Sequence, residues 1–371
     1  MKSSKSDKYM YATWVKLLIL YFVMFGMSVV IPIAAYFPDL GFPCYFNALV
    51  NYSDFNLTQR NVAKHITPTL FLEAPEMFAY ITVSFIVDCC AACYYFFGAF
   101  AILRAKKLHI TTLTSLSQWI ALVGSPTLII IGLWRLWTIQ LFIQTLSYKH
   151  IYLAAFVYTI HFMLSFIHIQ FHISRNSQLW AIKALEQSVP AGTMLETVIF
   201  KIKPIIANMH LFCLALEMLV FSLSFMMAIG NSFFILVSDV VFGSINVHIF
   251  LIILWILITE LYLAKYIQIQ LGFHIGIIMS SVILVLPLFR YEQMFVAANL
   301  HRAVTTNIAM ILVIGLVSSI IRILRLYWTS RKSKVMYFPL SQHSGPRRAK
   351  KSKRNHRDGN IIMEESETEE L

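Results

Sequence analysis

Long apolar runs constrain this chain more than any motif it carries. A helix needs about 20 mostly apolar residues to cross about 30 Å of hydrocarbon. Eight runs near that length follow one another, at residues 14–36, 77–103, 119–146, 151–173, 205–229, 247–264, 272–289 and 303–321. Only 13% of the chain is charged, about half the share of a soluble domain, so its interior and much of its surface must be apolar. Backbone facing lipid must satisfy its own hydrogen bonds, which leaves helices or a closed barrel. The runs are continuous and do not alternate, and that excludes the barrel. The expected fold is all-α, a polytopic membrane bundle of eight transmembrane helices over residues 1–321, followed by a disordered tail at 322–371.

The first run is the one with a rival reading, a cleaved signal peptide. A signal core is about 7–15 residues long, so a retained span is preferred. Lys and Arg asymmetry sets the orientation. With the N-terminus in the cytoplasm, Lys2, Lys5, Lys8, Lys16, Arg104, Lys106, Lys107, Arg175, Lys183, Lys201, Lys203, Lys265 and the whole tail fall on that side. The other side receives Arg60, Lys64, Lys149, Arg290 and Arg302. Both termini are therefore expected to be cytoplasmic. Half of the net charge of +12 lies in the tail, where topology and anionic lipid account for it; it does not indicate a nucleic-acid partner.

This topology puts residues 37–76 in the lumen and residues 174–204 on the cytoplasmic side. Leu179, Trp180, Ile182 and Leu185 in the latter suit a short interfacial helix. The lumenal loop holds two sequons, at Asn51 and Asn56, and one cysteine, Cys44. Cys89, Cys90, Cys93 and Cys213 lie inside spans, where cysteine is usually a small buried residue. Cys44 thus has no partner cysteine on the oxidising side, which leaves an intermolecular disulfide or a free thiol in the loop.

Ionisable residues within spans face the bundle interior as a rule. Asp88, Arg135, Glu217 and Glu260 are the candidates, and Asp88 with Arg135 is the expected ion pair, structural in role because no second polar layer accompanies it. His161, His168 and His172 share one helical face. A metal site there is not expected, since the further histidine boxes of membrane di-iron enzymes are missing; a polar packing face with Ser165 and Gln170 is the simpler reading. No cofactor is expected. Gly272 and Gly276 form a small-xxx-small pattern that lets helices approach. In the tail, Tyr337 and Leu340 fit a Tyr-x-x-bulky sorting signal that a clathrin adaptor reads as an extended strand. Glu364, Glu365, Glu367, Glu369 and Glu370 form a terminal acidic cluster.

No nucleophile with an adjacent base is visible, so the chain is not expected to be an enzyme. A transporter, or a seven-helix receptor with a cleaved signal, is the alternative class. The receptor would need an Asp-Arg-Tyr after its third span and an Asn-Pro-x-x-Tyr in its last, and neither occurs.

Several segments resemble the herpesvirus glycoprotein M family, and its gammaherpesvirus branch in particular. They are Phe37-Pro38-Asp39-Leu40-Gly41-Phe42-Pro43-Cys44, His65-Ile66-Thr67-Pro68-Thr69-Leu70, Gly124-Ser125-Pro126-Thr127, Gly230-Asn231-Ser232-Phe233-Phe234 and Leu286-Pro287-Leu288-Phe289-Arg290-Tyr291-Glu292. The resemblance implies an eight-span viral envelope protein that is disulfide-linked through Cys44 to the small glycoprotein N. It further implies action in virion assembly, secondary envelopment and egress. The implied locations are the virion envelope and the host trans-Golgi, endosomal and nuclear membranes. Tegument proteins would be further partners of the tail, Asn56 the family's sequon, and Asn51 a less typical one.

Overall fold

The computed structural model describes residues 5–36, 72, 74–108, 113–148, 150–174, 189–190, 192–262 and 270–341. Two units are distinguished, Met1–Leu324 and Arg325–Leu371. Among the described residues every regular element is helical, and eight helical stretches are long and apolar enough to cross a membrane.

In chain order the helices are α1 (Lys5–Tyr36), α2 (Ala74–Leu108), α3 (Leu113–Gly124), α4 (Pro126–Ser147), α5 (Ile151–Ser174), α6 (Met194–Thr197), α7 (Lys203–Ser232), α8 (Val237–Leu257), α9 (Gly272–Arg290), α10 (Glu292–Ala297) and α11 (His301–Ser341). The apolar run expected as one span at 119–146 is two helices meeting at Ser125. Ser125 has extended backbone, and its Oγ accepts from Leu128 N at 3.2 Å as an N-cap, with Pro126 opening α4. Proline fits a first turn because its missing N–H has no partner there in any case.

That break leaves the last carbonyls of α3 without helical donors. Side chains from three other helices supply them. Trp14 Nε1 of α1 donates to Gly124 O at 2.8 Å, Tyr94 OH of α2 to Val123 O at 2.6 Å, and Lys203 Nζ of α7 to Leu122 O at 2.7 Å. Lys203 is thereby buried, and its positive charge suits a helix C-terminus.

Two boundaries differ from those expected. Hydropathy places the start of the fifth span at residue 205, yet helix begins at Met194, where Thr193 caps the N-terminus and Glu196 Oε2 accepts from Gly192 N at 2.6 Å. A π-helical turn, Val198–Ile202, then joins α6 to α7. Pro204 explains it, because proline removes one helical hydrogen bond and its ring crowds the preceding turn. The expected interfacial helix around Trp180 lies outside the described residues. At the other end of the bundle, α11 runs past the expected tail boundary at residue 322 to Ser341. From Arg322 to Phe338 no glycine or proline interrupts it.

Within the first unit α7 is the hub, packed against α2, α5, α8 and α9. One apolar cluster joins α5, α7, α8, α9 and α11 through Tyr158, Leu214, Leu223, Ile252, Ile277, Leu284 and Ile308. A second joins α1 to α4 through Trp14, Tyr21, Tyr95, Trp119 and Leu136. Large apolar side chains such as Phe96, Phe156, Phe250 and Phe289 remain on the outside, as suits contact with lipid. The glycines of α9 sit where it meets α7: a Cβ at Gly272 would run into the Asn208 carbonyl, and one at Gly276 would lie 2.6 Å from Phe212 O. Asn208 Oδ1 accepts from Gly272 N at 2.9 Å across the same contact.

Candidate functional site

The polar centre of the bundle is built on Arg135 of α4. Its Nη1 donates to Asp88 Oδ1 of α2 at 3.1 Å, its Nη2 to Glu217 Oε1 of α7 at 3.1 Å, and its Nε to Ser165 Oγ of α5 at 2.9 Å. Nη1 also lies 3.2 Å from His210 Nδ1 of α7. Four helices thus converge on one guanidinium, whose planar fork of donors suits several acceptors at once. The side chains of Arg135, Asp88 and Glu217 are 5%, 8% and 1% exposed. Charges taken that far from water are retained only when paired and hydrogen-bonded, which is the arrangement here. His161 sits beside it, with Nδ1 3.0 Å from Thr138 Oγ1 and Nε2 3.6 Å from Glu217 Oε1.

His168 and His172 point from α5 toward His210, and one ring nitrogen of each of the three lies within 4.8 Å of the others. Among the described residues this is the one group of side chains whose spacing suits a metal ion. The face shared by His161, His168 and His172 is legible in their spacing. His210 is not, because it comes from another helix and carries no motif.

Two further ion pairs were missed from sequence. Arg290 Nη2 donates to Glu76 Oε1 at 2.8 Å, and Arg322 Nη1 to Glu260 Oε1 at 3.0 Å. Arg322 is among the most completely buried large side chains. The signal for it was present: Ile320, Ile321, Ile323 and Leu324 flank it, so it sits inside an apolar stretch. Glu260 is the middle residue of a π-helical turn, Ile258–Tyr262, that extends α8.

Cys44, Asn51, Asn56, Glu364, Glu365, Glu367, Glu369 and Glu370 lie outside the described residues. Tyr337 and Leu340 fall in the last turns of α11. Cys89, Cys90, Cys93 and Cys213 are free thiols on α2 and α7.

With the fold and its centre in view, comparison with known proteins is direct. A family model described as Herpesvirus glycoprotein M matches residues 7–340. The chain belongs to that family. It is 60% identical over 370 residues to the envelope glycoprotein M of Equine herpesvirus 2, covering all of this chain and 97% of that protein. It is 50% identical over 342 residues to the envelope glycoprotein M of Epstein-Barr virus (strain B95-8), covering 92% and 84%. Against that of Human herpesvirus 8 it is 50% identical over 341 residues, covering 92% and 85%. The last two are gammaherpesviruses, in keeping with the branch the sequence motifs indicate. Identity falls to 26% over 329 residues against the protein of Murid herpesvirus 1. No solved structure matches the chain. The family is one of viral envelope glycoproteins, and the chain's eight apolar helices fit a multi-span member of it.

Proposed function

We propose that this protein is a structural and trafficking scaffold of the viral envelope, acting in virion assembly, secondary envelopment and egress, with both termini in the cytoplasm. In this reading it has no catalytic role, and the Arg135 centre is what holds the bundle together. Its lumenal partner is the small glycoprotein N, joined by a disulfide at Cys44. The family match over residues 7–340 carries the reading. Cys44 supports the disulfide, as the one cysteine outside the apolar runs. The link follows docking, because sulfur atoms pair only when the two Cα atoms come within about 4.4–6.8 Å. Phe42, Tyr45 and Phe46 flank Cys44 and provide the apolar surface for that contact.

The deciding experiment is a non-reducing gel of the protein expressed with its partner. Cys44→Ser removes the reducible high-mass band and leaves co-precipitation in mild detergent. A band that persists assigns the link to an intramembrane cysteine and overturns the reading. The same expression system reports on trafficking. Tyr337→Ala with Leu340→Ala shifts the protein from Golgi and endosomal membranes to the cell surface, as read by surface biotinylation. Glycosidase sensitivity lost with Asn56→Gln places the loop in the lumen.

A further inference from the structure

His168 and His172 are left unused by the envelope reading, and His210 touches the Arg135 centre through one ring nitrogen only. We propose that these three imidazoles bind a divalent transition-metal ion of the zinc class between α5 and α7. His168 and His172 are one turn apart, so both face the same side of α5. His210 meets them from α7, with ring centroids 5.0 Å from His168 and 5.7 Å from His172. Each of the three is about 97% buried, their residual exposure being 3%.

Their hydrogen bonding points to a ligand. Both ring nitrogens of His172 and Nδ1 of His168 have no hydrogen-bond partner. A buried polar atom without a partner is costly and uncommon. One cation takes one ring nitrogen from each histidine, and so satisfies Nδ1 of His168 and one of the two nitrogens of His172. Tetrahedral zinc, with Zn–N of about 2.0–2.1 Å, sets its ligand nitrogens about 3.4 Å apart. The present limit of 4.8 Å is wider, so loading draws the three rings closer together. Imidazole donors select zinc, copper, nickel or iron and not magnesium or calcium, which need oxygen. With three protein ligands, water takes the fourth position.

The Arg135 centre lies beside this site. The two sites are coupled through His210. Arginine only donates, so its contact at 3.2 Å makes His210 Nδ1 an acceptor and puts the ring proton on Nε2. A metal that takes Nδ1 displaces the guanidinium directly. A metal that takes Nε2 requires the proton to move to Nδ1, which then repels the guanidinium. Loading therefore releases Arg135 from His210 and leaves it with Asp88, Glu217 and Ser165.

The test uses the full chain purified in detergent, loaded with zinc chloride or cobalt chloride and freed of excess. About one zinc per chain is expected above the level held by the triple variant His168→Gln, His172→Gln, His210→Gln. Glutamine keeps size and polarity but offers no imidazole. Cobalt-loaded protein is expected to show the intense visible bands of tetrahedral nitrogen ligation, lost in His172→Gln and unchanged in Cys90→Ser with Cys93→Ser. Equal zinc in the wild type and the triple variant overturns the proposal, as does metal lost with the cysteines. Should the histidine variants fail to fold, the unmutated protein still decides: no bound metal, or the ultraviolet absorption of cobalt bound to thiolate, overturns it.

Discussion

Arg135 and Arg322 are both buried arginines with a carboxylate oxygen at 3.1 and 3.0 Å, yet they are built differently. Arg135 lies near the middle of the span Leu116–Ser147 and is shared by two carboxylates, a serine and a histidine from three other helices. Arg322 lies toward the end of the span His301–Trp328 and pairs with Glu260, near the end of the span Val237–Leu261. Glu260 is 17% exposed, against 8% and 1% for Asp88 and Glu217. Glu260, near a span end, keeps part of its surface for water. In the middle of the bundle nothing but protein can solvate a charge, and each nitrogen of the guanidinium has been given its own acceptor.

That contrast is open to test by substitution, with thermal or denaturant unfolding in detergent as the measurement. The largest effect is expected for Arg135→Leu. It strands Asp88 and Glu217 as two uncompensated carboxylates and costs about 3–5 kcal/mol. Adding Asp88→Asn and Glu217→Gln to that variant returns most of the loss; no recovery would mean that packing and not charge sets the cost. Arg135→Lys comes next, at about 2 kcal/mol, because a compact ammonium cannot reach Asp88, Glu217 and Ser165 together. A lysine as stable as the wild type would dissolve the distinction between the two centres. Arg322→Leu is expected to cost roughly 1–3 kcal/mol, between the values for surface and fully buried pairs. A loss equal to that of Arg135→Leu would show that water does not reach Glu260. The smallest effect is Ser318→Ala, which removes the 2.9 Å contact with His274 Nδ1 at about 0.5–1.5 kcal/mol. His274, Glu260 and Arg322 line the same small cleft. A double-mutant cycle of Ser318→Ala with Arg322→Leu reads whether the four residues act as one network.

The places where the fold departs from hydropathy have local causes. The α3–α4 break needs only Ser125 and Pro126, residues visible in the chain, but an apolar run masks it because both halves remain hydrophobic. The early start at Met194 rests on Thr193 and Glu196, a polar pair inside what reads as a connection. Arg322 reads as the first residue of a basic tail although apolar residues flank it on both sides, and its pairing with Glu260, distant in sequence, shows it to be part of the bundle.

The sequence by itself determined the class of the molecule. Eight apolar runs, little charge and long unbroken hydrophobicity leave a helical membrane bundle as the one way to satisfy the backbone in lipid. It also marked Asp88, Arg135, Glu217 and Glu260 as residues that must face inward, since exposing them to hydrocarbon is too costly. Tertiary structure alone decided who meets whom. Glu217 and His210 on the hub helix α7 joined the centre that Asp88 and Arg135 suggested. Three side chains from three helices capped the carbonyls of α3. Two histidines one turn apart acquired a third from a neighbouring helix. Helical periodicity says which way a side chain points, but each of these contacts depends on which helices are neighbours, and no local pattern carries that information.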